Sequence, residues 1–272
     1  MTEEFARLFP LAGLCTPINQ ALEIQMACFI VDGDKGGTGK SFVARALADF
    51  LIQKKESGRV VIVDCDPSNA DVVCPNGFHA KEMVVGVEVL GLVTPINSQE
   101  DWFAAIDAAA KVSAPGADFV FSLPAGAGLY IDDTVLELMG LMAPVSTVWV
   151  MGKDESSIDQ LAARLERAPA FYEHGLIALN EYHGPAARGT FEDWYTSAPR
   201  GEAVERGEWR EILVCVLNAF VTRQIGTMPL HRAHDLSRDG EMSPTIAIGV
   251  QAFRRAFCAQ LEKALEYSHV RH

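Results

Sequence analysis

Apolar and polar positions along the chain fall into blocks that predict strands followed by helices. Residues 26–31 form an apolar run of strand length, and residues 42–51 repeat apolar positions at the spacing of a helix. Later strand-like runs begin at residues 59, 117, 146 and 175, and helical patterns span residues 102–112 and 158–167. Because strands alternate with helices, we predict an α/β fold with a mostly parallel, twisted sheet that has helices on both faces.

The last third of the chain continues this alternation. An apolar run at residues 211–218 predicts a further buried strand that ends at Asn218, and residues 246–267 carry one apolar stripe at helical spacing. A helix of this kind packs on the protein core or binds a membrane surface. Because few basic residues accompany the stripe, we expect it to pack on the core.

Two segments interrupt the pattern. Residues 1–23 precede the first predicted strand and contain two prolines, which prevent a long helix, so we expect an N-terminal extension there. Residues 183–211 mix glycine, proline, charged and aromatic residues and are predicted to form an insertion or a lid. The aromatic side chains of this segment are expected to anchor its packing; the alternative is contact with a base or a partner. With 49% hydrophobic residues, the chain as a whole, residues 1–272, fits a single domain.

The loop between the first predicted strand and the first predicted helix carries the chemistry. Gly36, Gly37 and Gly39 let the backbone turn consecutive N–H groups into one concavity that suits phosphate oxygens. The N-terminus of the following helix adds partial positive charge at the same place. Lys40 is expected to reach the outer phosphates, and the Ser41 hydroxyl is expected to ligate Mg²⁺.

The loop resembles the deviant Walker A motif of the ParA/MinD family of ATPases. The general phosphate-loop pattern asks for glycine at position 34, whereas this chain has Asp34 followed by a second lysine, Lys35. The resemblance implies a P-loop NTPase-like fold, the cofactors ATP and Mg²⁺, and an ATP-dependent homodimer in which Lys35 reaches the nucleotide of the partner subunit. The alternative is that Lys35 only neutralises its own nucleotide or pairs with Asp34. The positions expected to bind the nucleotide are Gly36, Gly37, Thr38, Gly39, Lys40, Ser41, Phe42, Asn218 and Pro229.

Two carboxylates follow the strand-like run that begins at residue 59. Asp64 and Asp66 stand at the carboxyl end of a predicted parallel strand, where open α/β sheets bind ligands, so both are expected to face the nucleotide. The family resemblance implies that Asp66 has a catalytic role, positioning the attacking water, and that Asp64 helps to hold Mg²⁺ through water. The alternative is that Asp66 only belongs to a capped turn.

One position departs from the family pattern. The run that begins at residue 117 resembles the Walker B strand, where the family usually has an aspartate two residues before the proline, but this chain has Ser122. A hydroxyl cannot supply the negative charge that orients the water shell of the metal. Either Asp64 carries that role alone or hydrolysis is slow, so metal binding and turnover are in doubt, while nucleotide binding is not.

Two further positions concern the base of the nucleotide. In this superfamily an asparagine after such a strand commonly hydrogen-bonds adenine, which the resemblance transfers to Asn218; the alternative is a simple turn residue. The guanine-binding pattern N-K-x-D is absent from the sequence, so ATP is favoured over GTP. Residues 227–230, which include Pro229, resemble the short loop that closes over the base in the family.

Composition restricts the classes of partner and site. A formal charge of −13 repels phosphate backbones, so DNA binding is expected to be weak. The six cysteines form no C-x-x-C pair, which disfavours a zinc site and the relatives that hold an iron-sulfur cluster. No apolar run approaches about 18 residues, so no membrane span is predicted. The N-terminus is acidic where a secretory signal is basic, and a cytoplasmic protein is expected.

These observations predict an ATP-dependent dimerising switch ATPase of ParA/MinD type with a protein partner, acting in plasmid or DNA partition, positioning or conjugal transfer. Residues 191–200 are similar to plasmid-encoded TraL-like transfer proteins, a branch of the same superfamily. A nucleotide-binding scaffold or regulator with little or no hydrolysis is the alternative that Ser122 suggests. A metabolic or metallochaperone ATPase is disfavoured by the absence of C-x-x-C.

Overall fold

The computed structural model of the protein describes residues 27–33, 35–167, 174–186, 189–206 and 208–269. The extension predicted at residues 1–23 lies outside these ranges. The strands are β1 (Cys28–Asp32), β2 (Gly58–Asp64), β3 (Glu82–Val84), β4 (Val87–Val93), β5 (Asp118–Ser122), β6 (Val145–Met151), β7 (His174–Asn180) and β8 (Glu208–Val214). The helices are α1 (Lys40–Lys54), α2 (Gln99–Val112), α3 (Asp133–Gly140), α4 (Glu155–Arg167), α5 (Glu192–Tyr195), α6 (Ala198–Arg200), α7 (Ala219–Ile225), α8 (Leu230–Arg238) and α9 (Pro244–His269).

The described strands form one sheet in the order β3-β4-β2-β5-β1-β6-β7-β8. β3 runs antiparallel to β4, and the other neighbouring pairs within the described part of the chain are parallel. The predicted α/β fold with a mostly parallel sheet is therefore confirmed. Because β1 lies between β5 and β6, the loop that follows β1 leaves the middle of the carboxyl edge of the sheet.

Helices cover both faces of the sheet, which explains the continuous apolar runs of the strands. On one face, Phe29 and Val31 of β1 pack in a core with α1, α7, α8 and α9. On the other face, Cys28 and Ile30 pack with α2, α3 and α4. The predicted apolar stripe of α9 lies in the first core through Val250, Phe253, Phe257 and Leu261. None of the described helices has both the length and the hydrophobicity that a membrane crossing needs.

The last strand differs from the prediction. β8 ends at Val214, whereas the apolar run in the sequence continues to Asn218. The reason is pairing: β7 ends at Asn180, which is the register partner of Val214, so the chain beyond that point has no neighbour on this side to hydrogen-bond. Asn218 lies four residues beyond the end of the strand and outside the sheet.

The segment predicted as an insertion or lid connects β7 to β8 through α5, α6 and a π-helix at Gly201–Arg206. Its α5 and α6 contact α4. Trp194 and Trp209 are buried in the second core, and Trp194 donates a hydrogen bond from Nε1 to Glu211 over 2.7 Å. The aromatic side chains that can be described there thus anchor packing.

Candidate nucleotide-binding site

A cleft of about 280 Å³ opens at the carboxyl edge of the sheet, beside the loop that joins β1 to α1. Six of the positions expected to bind the nucleotide line it: Gly36, Gly37, Gly39, Lys40, Ser41 and Phe42. Leu217, which follows β8, and Thr222 of α7 also line the cleft, and the turn after β2 contributes Asp66. No residue that can be described between 189 and 206 lines this cleft.

The loop has the backbone geometry that its glycines predict. Gly37 and Gly39 have φ values of 85° and 97°, in the left-handed region that favours glycine. A Cβ on Gly39 would lie only 2.3 Å from Nδ2 of Asn180, so this position also requires glycine for space. The Lys40 side chain folds back over the loop and donates from Nζ to the carbonyl oxygen of Lys35 over 2.8 Å. The ammonium is therefore held inside the loop, where phosphate oxygens are expected.

The N-terminus of α1 is open to a ligand in the same cleft. Some of the other helices begin after capping side chains; Ser98, for example, accepts a hydrogen bond from the N–H of Asp101 at the start of α2. α1 begins after Gly39, and no described side chain caps it. Its first N–H groups therefore suit an anion, whose charge the helix dipole also favours.

The two loop glycines differ in a way that a stability measurement can detect. Gly39→Ala is expected to lower the free energy of unfolding by about 2 kcal/mol, because the new Cβ meets Asn180 and the φ of 97° is strained for alanine. Gly36→Ala is the matched control, since no heavy atom of the described residues lies within 4 Å of a Cβ there. Denaturant unfolding without nucleotide measures both variants. Equal unfolding midpoints for Gly39→Ala and wild type would contradict this loop geometry.

Thr38 braces the loop and does not line the cleft. Its side chain is buried, with 2% exposed, and its hydroxyl donates to the carbonyl oxygen of Lys35 over 3.3 Å. Its own carbonyl oxygen accepts from Nδ2 of Asn180 at 2.9 Å and lies 3.3 Å from Nε2 of His183. Asn180 at the end of β7 and His183 just after it therefore hold the loop in place.

Lys35 lies at the surface and forms an ion pair across the edge of the sheet. Its Nζ is 2.6 Å from Oδ2 of Asp154, the residue before α4, and the two side chains are 52% and 47% exposed. The hydrogen bond and charge of Lys35 lower the pKa of Asp154. Ion pairs with this exposure contribute little to stability and exchange partners readily. The suggested pairing with Asp34 falls on a residue outside the described ranges.

The two carboxylates after β2 have different surroundings. Asp64 is buried, and its Oδ2 accepts from the backbone N–H groups of Val72 and Val73 at 3.0 and 3.1 Å. Burial raises the pKa of Asp64, while these hydrogen bonds oppose that rise. Asp64 is not among the described residues that line the cleft, and the expectation that it faces the nucleotide stays a prediction. Asp66 does line the cleft, where its Oδ1 accepts from the Ser68 hydroxyl at 2.6 Å.

The residues present fit a magnesium ion that is held mainly by a nucleotide. The described part of the chain has no group of three or more His, Cys, Asp or Glu side chains that would hold a metal. Mg²⁺ commonly takes only one or two protein ligands and completes its shell with phosphate oxygens and water. Ser41 and Asp66 line the same cleft and would supply such oxygens. The role predicted for Asp64 through water stays a prediction.

Ser122 ends β5 directly beside Asp64. The two residues are register partners in the sheet, and Ser122 is buried with 2% exposed. Its carbonyl oxygen accepts from the N–H of Cys65 at 2.9 Å. The position that the family usually fills with aspartate therefore carries no charge in this chain.

The two residues predicted to contact the base do not line the cleft. Asn218 is exposed and caps α7, where its Oδ1 accepts from the N–H of Phe220 at 2.8 Å. This contact fits the alternative in which Asn218 is a turn residue. It is possible because β8 already ends at Val214. Pro229 immediately precedes α8. The base contacts of Asn218 and Pro229 stay predictions.

The structure brings two other residues into the cleft that the sequence interpretation missed. Asn180 ends β7, is 3% exposed and lines the cleft. The sequence pattern that could have predicted it is the one used for Asn218, an asparagine at the end of an apolar run. Arg45 lines the cleft from α1, three residues after Phe42 and on the same helix face. The position of Arg45 in the cleft could have been predicted from its helical spacing from Phe42.

The chain is similar to several known proteins, although no family model matches it. Protein MobD of Acidithiobacillus ferrooxidans is 26% identical over 183 residues, which are 66% of this chain and 73% of that protein.

Among solved structures, the chain is similar to the cell division ATPase MinD of Pyrococcus furiosus, with 18% identity, a TM-score of 0.46, and 87% of this chain and 98% of that chain covered. MinD of Aquifex aeolicus has 15% identity and a TM-score of 0.47 over 85% of this chain and 95% of that chain. McdA of Cyanothece, in complex with ATP, has 14% identity and a TM-score of 0.46 over 85% of this chain and 96% of that chain. MinD, the type that the loop sequence predicts, is therefore among the proteins that this chain resembles. Similarity to the TraL-like branch stays a prediction.

Proposed function

We propose that the chain binds ATP with Mg²⁺ in this cleft and acts as an ATP-dependent dimerising switch ATPase of ParA/MinD type. The observation that carries the proposal is the shared cleft: the glycine loop, the buried Lys40 and the carboxylate of Asp66 line one space at the carboxyl edge of the sheet. Plasmid or DNA partition, positioning or conjugal transfer in the cytoplasm, with a protein partner, is the cellular role that we propose.

Charge supports a nucleotide as the ligand. The chain carries a formal charge of −13, so a polyphosphate needs a local positive site in order to bind. The uncapped N-terminus of α1, the ammonium of Lys40 and the left-handed glycines combine to provide one. A folded chain that shows no ATP binding by calorimetry would contradict the proposal.

Asp66 is the residue in this cleft suited to position a water for attack on the terminal phosphate. Its carboxylate lies in the cleft that Lys40 and Ser41 also line, and it can accept a hydrogen bond from water there. In-line attack needs the water held on the far side of the transferred phosphoryl group, while Lys40 neutralises charge that develops on the phosphate oxygens. The chain's own residues thus supply both functions.

Asp66→Ala is expected to lower ATP hydrolysis about tenfold or more while ATP binding survives. The loss follows from removing the acceptor that orients the water. Phosphate release and calorimetry on the same preparation measure the two effects. Asp107→Asn is the matched control, because Asp107 is an exposed carboxylate on α2 outside the cleft lining, and its change is expected to leave hydrolysis within about threefold. Unchanged phosphate release in Asp66→Ala would assign Asp66 to the turn alone.

A nucleotide-binding scaffold with little or no hydrolysis is the second candidate. Ser122 provides no charge beside Asp64, and the Oδ2 of Asp64 is occupied by two backbone N–H groups. Both observations weaken the orientation of a metal's water shell. Wild-type protein that binds ATP but releases no phosphate, even with candidate partners and DNA present, would favour the scaffold. Partition, transfer or cell-division genes beside the gene for this chain would support the corresponding cellular role.

A further inference from the structure

Arg45 connects helix α1 to the turn between α7 and α8. It lies on α1, five residues after Lys40, and its side chain lines the cleft with only 8% exposed. Its guanidinium carbon is 5.7 Å from the centroid of the Phe42 ring. A fully charged side chain is rarely this buried unless it is paired, so its contacts require a structural explanation.

The guanidinium holds the turn between α7 and α8. Its Nη1 donates to the carbonyl oxygens of Gly226 and Met228, at 2.8 and 3.3 Å. The last carbonyl groups of a helix have no partner within the helix, and a cation there is favourable. Gly226 follows α7 directly and has a φ of 51°, so the turn is tight. Nε of Arg45 is buried and finds no acceptor among the described residues.

The turn after β2 approaches the same guanidinium. Asp71 lines the cleft together with Arg45. Burial lowers the pKa of Arg45, and the negative charge of Asp71 opposes that change. The thiol of Cys74 also lies 3.5 Å from the hydroxyl of Thr227. Arg45 therefore stands where α1, the β2 turn and the α7–α8 turn meet.

We propose that Arg45 is a positioning residue for the base end of the nucleotide site. By tying the end of α7 to α1, it fixes the distance between Thr222 on α7 and the phosphate-binding Lys40 on α1. The proposed phosphate contacts come from the loop and α1, so they do not depend on this tie. We assign the base to the part of the cleft that Leu217 and Thr222 line, so contacts with the base do depend on it. This inference rests on the proposed function, since it assigns one end of the ATP site.

Two ligands separate a base-positioning role from a general structural one. Arg45→Gln is expected to weaken ATP binding about tenfold and to leave binding of inorganic triphosphate within about twofold, because only ATP contacts the base end. Calorimetry with each ligand gives the ratio of the dissociation constant of the variant to that of wild type. Arg232→Gln is the matched control: Arg232 on α8 also donates to a carbonyl oxygen, that of Gly77 at 3.0 Å, but lies outside the cleft lining. Both ligands are expected to bind this control as they bind wild type.

A second variant covers the case in which the glutamine variant does not fold. Arg45→Lys keeps the charge and one donor group, so it is expected to show a smaller selective loss for ATP, about threefold. Equal losses for ATP and triphosphate in either variant, or unchanged ATP binding, would overturn the inference while leaving the proposed function intact. Wild-type protein that binds neither ligand would contradict the proposed function, and the inference would fall with it.

Discussion

Replacing Lys40 with alanine is expected to abolish nucleotide binding, with an affinity loss of at least about 100-fold. The Lys40 ammonium is the buried positive charge of the phosphate loop, since Nζ is folded inside it on the carbonyl oxygen of Lys35. The variant loses this charge, so the outer phosphates have no counter-charge in the loop. Removing Nζ also removes a hydrogen bond that shapes the loop. Calorimetric titration with ATP in the presence of Mg²⁺ measures the loss.

Lys54→Ala is the matched control for this experiment. Lys54 ends the same helix, far along it from the loop, and pairs with Glu262 of α9. Its removal is expected to leave ATP affinity unchanged. Unfolding midpoints of both variants show whether any loss arises from folding. Unchanged ATP affinity in a folded Lys40→Ala protein would rule out the phosphate-loop assignment.

The fold and the phosphate loop could be predicted because their signals are local. Strand β1, the glycine loop and α1 are consecutive in the sequence, and each carries its own pattern of apolar or glycine residues. A parallel sheet follows from the alternation of such units. Lys40 can be identified from the glycines that precede it in the sequence. In the structure its Nζ lies inside the loop, on the carbonyl oxygen of Lys35.

The contacts of the site that were missed depend on residues far apart in the chain. Asn180 and Asn218 both follow apolar runs, and only the pairing of β8 with β7 determines which one remains at the sheet edge. The direction of the Asp64 carboxylate is set by N–H groups of Val72 and Val73, whose positions no sequence pattern indicates. Arg45 acquires its role from a turn 181 residues later. Such contacts require the tertiary arrangement itself.

Lys35→Ala is expected to remain monomeric with ATP bound, whereas wild type is expected to dimerise. Two protomers that each carry a formal charge of −13 repel each other, and two nucleotides brought face to face add to that repulsion. A lysine that crosses to the phosphates of the partner subunit offsets it. Light scattering with a slowly hydrolysed ATP analogue measures the mass of each protein, and calorimetry confirms that the variant still binds the analogue.

The ion pair in the single chain gives this experiment its control. Lys35 is paired with Asp154 over 2.6 Å, so reaching a second subunit requires the lysine to leave that partner. The Lys35–Asp154 pair is exposed and therefore weak. Because a polyphosphate carries more negative charge than one carboxylate, Lys35 is expected to leave Asp154 for the nucleotide. Asp154→Asn removes the competing carboxylate and is expected to dimerise at least as strongly as wild type. If Lys35→Ala dimerises as wild type does, Lys35 acts on its own nucleotide only, and the charge argument for a nucleotide-gated dimer fails.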